Sequence, residues 1–211
     1  MKEKRVILFD LGNVLIDFDH RTAVNRIRKH CALGEEEIYN LFFDSDVTDR
    51  YERGLITSLE FFRELKHMLH ASISYNEFVP IWNDIFFAHP GMLEVLYALK
   101  GTYDLYMVSN INELHYLYLK EMFPNYFNCF KKLFLSYQLK MRKPDPEIYA
   151  HIIFFLRLSA HQIIYVDDRP ELVEAAKKLH IDAFAFESTD ACRETLAEHD
   201  IIFTTPVPLK R

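Results

Sequence analysis

The chain of 211 residues is 50% hydrophobic and 27% charged, enough to enclose a sizeable core in one globular unit or in a core domain with a smaller insertion. Its net charge of -6, from 31 acidic and 25 basic residues, speaks against the basic face that nucleic-acid binding requires, and no apolar run reaches the length of a membrane span. The cysteines, Cys31, Cys129 and Cys192, have no metal-like spacing, and the N-terminal apolar run is too short for a secretion signal, so free thiols in a cytoplasmic protein are expected.

Residues 5–9 (RVILF) read as a short buried strand that stops at Asp10, with Gly12 two positions later. The interval from about residue 20 to 88 shows helical patterns at 20–31, 34–43, 57–69 and 74–87 and no convincing strand. Asp19 is a candidate N-cap for the first of these, and Thr57 with Glu60 has capping-box spacing. Alternation then begins. A helix over 91–100 precedes a strand over 104–108 (DLYMV), and further strands follow at 132–135 (KLFL), 163–166 (IIYV) and 183–186 (AFAF). Helices open at Asp145-Pro146, Pro170 and Thr189, and the tail TTPVPLKR reads as a loosely held end. Strands alternating with helices imply a parallel sheet covered on both faces, with a helical module inserted after the first strand.

In such a sheet ligands bind beyond the carboxyl ends of the strands. Those ends carry Asp10, Ser109 with Asn110, and Asp167 with Asp168, while Lys143 stands in the loop before the helix at 145. Paired acids with a further carboxylate suit Mg²⁺. A hydroxyl, backbone amides and a lysine suit a phosphate's outer oxygens, and a carboxylate beside them can act as a nucleophile. Taken singly, Asp10 reads as a strand-ending cap, Lys143 as a solvated side chain, and the acid pair as either a cap or a metal site. Their joint order at strand ends favours chemistry.

The segments FDLGNVL (9–15), VSN (108–110), RKPDPEIY (142–149) and VDDRPELVEAA (166–176) resemble the four ordered motifs of the haloacid dehalogenase-like superfamily. DLGNVL, with YERGLIT at 51–57, is similar to a subgroup of sugar-phosphate phosphatases typified by α-D-glucose-1-phosphate phosphatases. The resemblance implies an α/β fold: a three-layer Rossmann-like core over 1–17 and 89–205, with a helical cap domain over 18–88. It implies Asp10 as nucleophile, forming an aspartyl-phosphate, and Mg²⁺ held by Asp10, the Gly12 carbonyl and Asp168, with Asp167 assisting directly or through water. Ser109, Asn110 and Lys143 would hold the phosphate, with Lys143 offsetting the repulsion between two anions. In the cap, Glu52 and Arg53 are candidates for the substrate's organic part, whereas Trp82 reads as packing. The implied partner is a small phosphorylated metabolite, with no nucleic acid and no membrane, and the chain is expected as a monomer or homodimer.

The sequence departs from that pattern where it matters. Most phosphatases of the superfamily carry an acid two residues beyond the nucleophile, and here Gly12 stands there, with Val14 and Leu172 replacing other usual polar residues. A missing general acid–base group costs about 10²–10⁴-fold in rate, so the site is slowed rather than emptied, and an acidic leaving group such as an anomeric hydroxyl needs less help. Water, Asp17, Asp19 or His20 are the candidate substitutes, although hinge roles suit those three side chains better. Two alternatives remain: a weak or inactive protein that binds a phospho-ligand or a partner, and a metal-free 2-haloacid dehalogenase, which the acid pair disfavours. The scattered histidines, His20, His67, His89 and His115, are expected at surface or hinge positions.

Overall fold

The computed structural model describes residues 5–204. The chain begins with β1 (Val6–Phe9) and β2 (Ile16–Phe18), then runs through α1 (His20–Ile27), α2 (Glu35–Phe43), α3 (Asp46–Glu52), α4 (Ser58–Met68) and α5 (Tyr75–Asn83) to β3 (Phe86–Ala88). It continues with α6 (Met92–Leu99), β4 (Asp104–Ser109), α7 (Glu113–Met122), α8 (Pro124–Phe127), β5 (Lys132–Leu135), α9 (Ser136–Leu139) and α10 (Pro146–Leu156). The last elements are β6 (Ile163–Asp167), α11 (Pro170–Lys177), β7 (Asp182–Ala185) and α12 (Thr189–Glu198). The segment beyond Thr204, expected as a loose end, lies outside the described residues.

Five parallel strands form the main sheet in the order β5-β4-β1-β6-β7. β1 is central, so both faces of VILF are covered and every residue is apolar and buried. Alternate side chains point to opposite faces. Ile7 and Phe9 join the core formed with α6, α8 and α12, while Val6 and Leu8 join that of α10 and α11, giving three layers. This is the expected α/β architecture.

The helices α1 to α5 enclose a separate aromatic core of Phe42, Tyr51, Phe61, Phe78 and Trp82. Asp19 caps α1 by accepting the Arg21 amide, and Thr57 and Glu60 form the capping box of α4, both as the local sequence requires. Two features of this interval differ from expectation. Phe86–Ala88 is a strand, paired antiparallel with Ile16–Phe18, so a two-stranded ribbon carries the chain into and out of the helical insert. The apolar pattern over 74–87 merges helix and strand because Trp82, Ile85 and Phe86 are all packed inward. The short helix α3 also escaped the pattern, since only Val47, Thr48 and Tyr51 are buried along it. No helix among the described residues is long and apolar enough to cross a membrane.

Candidate active site

Parallel register decides which residues meet. Phe9 pairs with Met107 on one side and with Val166 on the other, so Asp10, Ser109 and Asp167 emerge together at one sheet edge. The Asp10 amide extends the ladder by donating to the Val166 carbonyl at 2.9 Å. Asp10, Asp167 and Asp168 place carboxylate oxygens within 4.8 Å of one another.

Lys143 enters this acidic group from the loop before α10. Its Nζ donates to Asp10 Oδ1 at 2.7 Å and to Asp167 Oδ2 at 2.6 Å, and the side chain is buried. The loop is pinned by Asn110, whose Nδ2 donates to the Lys143 carbonyl and whose Oδ1 accepts the Lys143 amide, both at 2.8 Å. Burial opposes the lysine's charge, but Asp10 and Asp167 outweigh it and hold the ammonium above its ordinary range. Burial pushes Asp10 up to about 7, with Lys143 opposing and Asp167 adding to the rise. Asp168 is also raised, first by burial, while a hydrogen bond from Asn13 opposes the shift.

The two adjacent acids have different tasks. Asp167 is committed to the protein: Oδ2 accepts from Lys143 and from the Tyr165 hydroxyl, and Oδ1 accepts the Arg169 amide at 2.9 Å. Asp168 lines the cavity and accepts a hydrogen bond from Asn13 Nδ2 at 3.1 Å. The cluster therefore holds an excess of carboxylate over ammonium, with the Asp10 and Asp168 carboxyls raised by crowding and burial. An oxygen-rich group with uncompensated negative charge fits a hard divalent cation, and Asp10, Asp168 and the Gly12 carbonyl are the groups at the cavity that could hold it.

The cavity above this edge measures about 270 Å³. Asp10, Gly12, Ser109, Asn110, Lys143 and Asp168 line its sheet side, all of them expected site residues. Glu52 also lines it, held by Arg142 at 3.0 Å and raised by burial against that pairing. Arg53 does not. Its guanidinium bonds Asp145 at 2.5 Å and Asp49 at 2.9 Å, joining the helical insert to the start of α10. Arg142, also paired with Asp49, completes this junction and contributes to the cavity wall.

The far wall is aromatic. Phe18, His20, Phe43, Trp82 and His115 form a continuous stack, with successive ring centroids 4.6, 3.6, 5.5 and 4.7 Å apart. His115 is not at the surface as expected but buried, with its ring nitrogens on Asn112 and the Trp82 carbonyl, and burial pushes it down to about 3. His89 does sit at the hinge ribbon, against Asp17 at 2.8 Å. Trp82 packs as expected. At Gly12 an added Cβ would stand 2.9 Å from Phe18 Cε1, so the space where an acid would project is filled by that ring.

The family model for haloacid dehalogenase-like hydrolases matches residues 4–180. The chain belongs to this family. Within these hydrolases it is 26% identical over 198 residues to the D-ribitol-5-phosphate phosphatase of Bacteroides thetaiotaomicron, covering 90% of this chain and 95% of that protein. It is 38% identical over 87 residues to a sesquiterpene phosphatase of Aspergillus oryzae, covering 41% of this chain and 44% of that one. A HAD family enzyme of Bacteroides thetaiotaomicron, solved in complex with magnesium and inorganic phosphate, matches with a TM-score of 0.79 at 26% identity, covering 89% of this chain and 96% of that chain.

Tyr165 and Asn13 are parts of the site that the sequence reading passed over. Tyr165 had a usable signal: in a strand, residues two apart share a face, so it must lie beside Asp167. Asn13 follows Gly12 with a φ of 53°, a left-handed turn position that asparagine tolerates well.

Proposed function

We propose that the chain is a phosphomonoesterase that hydrolyses a small phosphorylated metabolite through an aspartyl-phosphate on Asp10. The supporting observation is the placement of the Lys143 ammonium between Asp10 and Asp167, with Asp168 lining the cavity beside them. Lys143 orients the Asp10 carboxylate and offsets the repulsion of an incoming phosphate, and Asp167 and Tyr165 fix the lysine in place. The Ser109 hydroxyl, buried at the end of β4, donates to a phosphate oxygen. Asp10, Asp168 and the Gly12 carbonyl would hold Mg²⁺, which would supply charge neutralisation for the phosphoryl group.

We assign 18–88 as a cap domain and 1–17 with 89–205 as the core; the insert's separate aromatic core supports this division. A sugar phosphate such as glucose 1-phosphate is the first candidate substrate. Its relatively acidic leaving group suits a site without a carboxyl at position 12, and Glu52 offers an acceptor for its hydroxyls. Cytoplasmic location is proposed from the unbridged cysteines. Phosphate release from a panel of sugar phosphates, with Mg²⁺ and with EDTA, tests the assignment. Mg²⁺-dependent turnover of at least one sugar phosphate is expected. A second reading, a phospho-ligand binder with little turnover, is favoured by the Phe18 ring at Gly12. Thermal stabilisation by sugar phosphates without any release across the panel would establish it instead.

A further inference from the structure

Breaking a phosphate ester leaves an alkoxide, which departs slowly unless it receives a proton, and the water of the second step must lose one. Position 12 supplies no such group, and the Phe18 ring fills its space. The cavity's other ionisable side chains are largely engaged. Glu52 is paired with Arg142, and His115 is bonded through both ring nitrogens. Asp44, also at the cavity, is exposed to water past the end of α2; of the acids in the adjoining ribbon and turn, neither of which lines the cavity, Asp17 is taken by His89 and Asp19 caps α1.

His20 is different. It opens α1, lines the cavity, and stacks on the same Phe18 ring that occupies the space at Gly12, with centroids 4.6 Å apart. Phe43 stacks on it at 3.6 Å and an interplanar angle of 7°, which fixes the plane of the imidazole. Tyr39 stands edge-on to it. Among the described residues no side chain or carbonyl accepts or donates a hydrogen bond at its ring nitrogens.

We propose that His20 is the proton-transfer residue of the hydrolysis, a catalytic role that rests on the phosphatase reading above. In the first step the Asp10–phosphorus bond forms, the phosphorus–alcohol bond breaks, and the imidazolium proton passes to the departing oxygen. In the second, a water oxygen bonds phosphorus, the Asp10–phosphorus bond breaks, and the water's proton returns to the neutral ring. The cycle consumes one ester and one water and leaves the imidazole as it began. Burial, with Asp19 opposing, pushes His20 down to about 4, so the free protein holds it neutral. Besides Asp19, the titratable groups facing it are Tyr39 from α2 and His115 from α7. A phosphate dianion in the cavity favours the charged ring, so the complex takes up the proton that the first step spends.

The test compares wild type, His20→Gln, His20→Phe and Tyr39→Phe on a series of substituted phenyl phosphates with Mg²⁺, from p-nitrophenyl phosphate to unsubstituted phenyl phosphate. Both His20 variants should lose about 10²–10⁴-fold in kcat on phenyl phosphate, with KM little changed, and far less on p-nitrophenyl phosphate. Where the second step limits turnover, they should instead accumulate acid-quenched phosphoenzyme. His20→Phe preserves the ring stack and separates proton transfer from folding. Equal losses across the series without accumulated phosphoenzyme would overturn the proposal, as would a leaving-group effect confined to Tyr39→Phe. Wild type inert toward every member of the series would instead sink the phosphatase reading, and His20's role with it.

Discussion

At the carboxyl ends of β1 and β6, Lys143 is buried in contact with the carboxyl groups of both Asp10 and Asp167. Across the cavity, in the hinge ribbon and α1, α2, α5 and α7, the wall is made of rings, and its two histidines are held neutral by burial. One wall is held by ionisable groups that interlock, and removing any of them strands a partner. The other is held by flat surfaces that stack, and its two imidazoles are neutral in the free protein. In the proposed function phosphate would meet the first wall and the organic group the second, so the division of labour would be a division of electrostatics.

The comparison breaks most visibly at Lys143. Replacing it with Met leaves Asp10 and Asp167 buried against each other, so phosphate release should fall on the order of 10³-fold. Urea unfolding should show a loss of about 3–5 kcal/mol. Retained activity would mean that the charged wall does not depend on its cation.

Acid pH sharpens the contrast, because the two walls respond with opposite sign. His115 sits at about 3 in the fold, against an ordinary value of 6.5, so the unfolded chain alone takes up a proton between those limits. Stability from the neutral imidazole is therefore complete above about 6.5 and is lost as pH falls toward 3. Asp10, raised to about 7, pulls the other way, since the folded state binds its proton first on acidification. The informative quantity is the stability difference between wild type and His115→Gln. It should be constant above pH 6.5 and shrink steadily as the pH is lowered to 5. A difference independent of pH would show that His115 is not held neutral.

Gly12 lies where the walls meet. Gly12→Ala must displace the Phe18 ring and should cost about 1–3 kcal/mol, with most of the loss recovered when Phe18→Leu is added. Additive losses in the double variant would show that Phe18 does not occupy that space. The smallest effect is expected at Arg53. Its pairs with Asp49 and Asp145 are partly exposed, so Arg53→Ala should change stability by less than about 1 kcal/mol and leave kcat within a few fold. A large rise in KM would place it at the substrate after all.

The charged wall was the more legible of the two. Asp10, Ser109 and Asp167 each follow a buried apolar run, and parallel register brings the ends of such runs to one edge whatever the loops do. Lys143 could be named because it precedes Pro144-Asp145-Pro146 at a helix start. The aromatic wall was hidden for a geometric reason. Phe18, Phe43, Trp82 and His115 come from separate segments, and no periodicity within one segment reveals which rings will stack. Glu52 and Arg53 show a related limit. Neighbours on a helix point about 100° apart, and here Glu52 turns to the cavity while Arg53 turns to Asp49 and Asp145. Phe86–Ala88 was absorbed into a helical pattern because three residues are too few to display a period of their own.

The central claim is that Asp10 carries the phosphoryl group. Hydrolysis of p-nitrophenyl phosphate by wild type and by Asp10→Asn, each with Mg²⁺ and with EDTA, tests it most directly. Wild type should release phosphate only with Mg²⁺, and Asp10→Asn should be reduced at least on the order of 10³-fold while its thermal unfolding remains cooperative. A folded Asp10→Asn variant that keeps Mg²⁺-dependent activity near the wild-type rate would contradict the covalent mechanism.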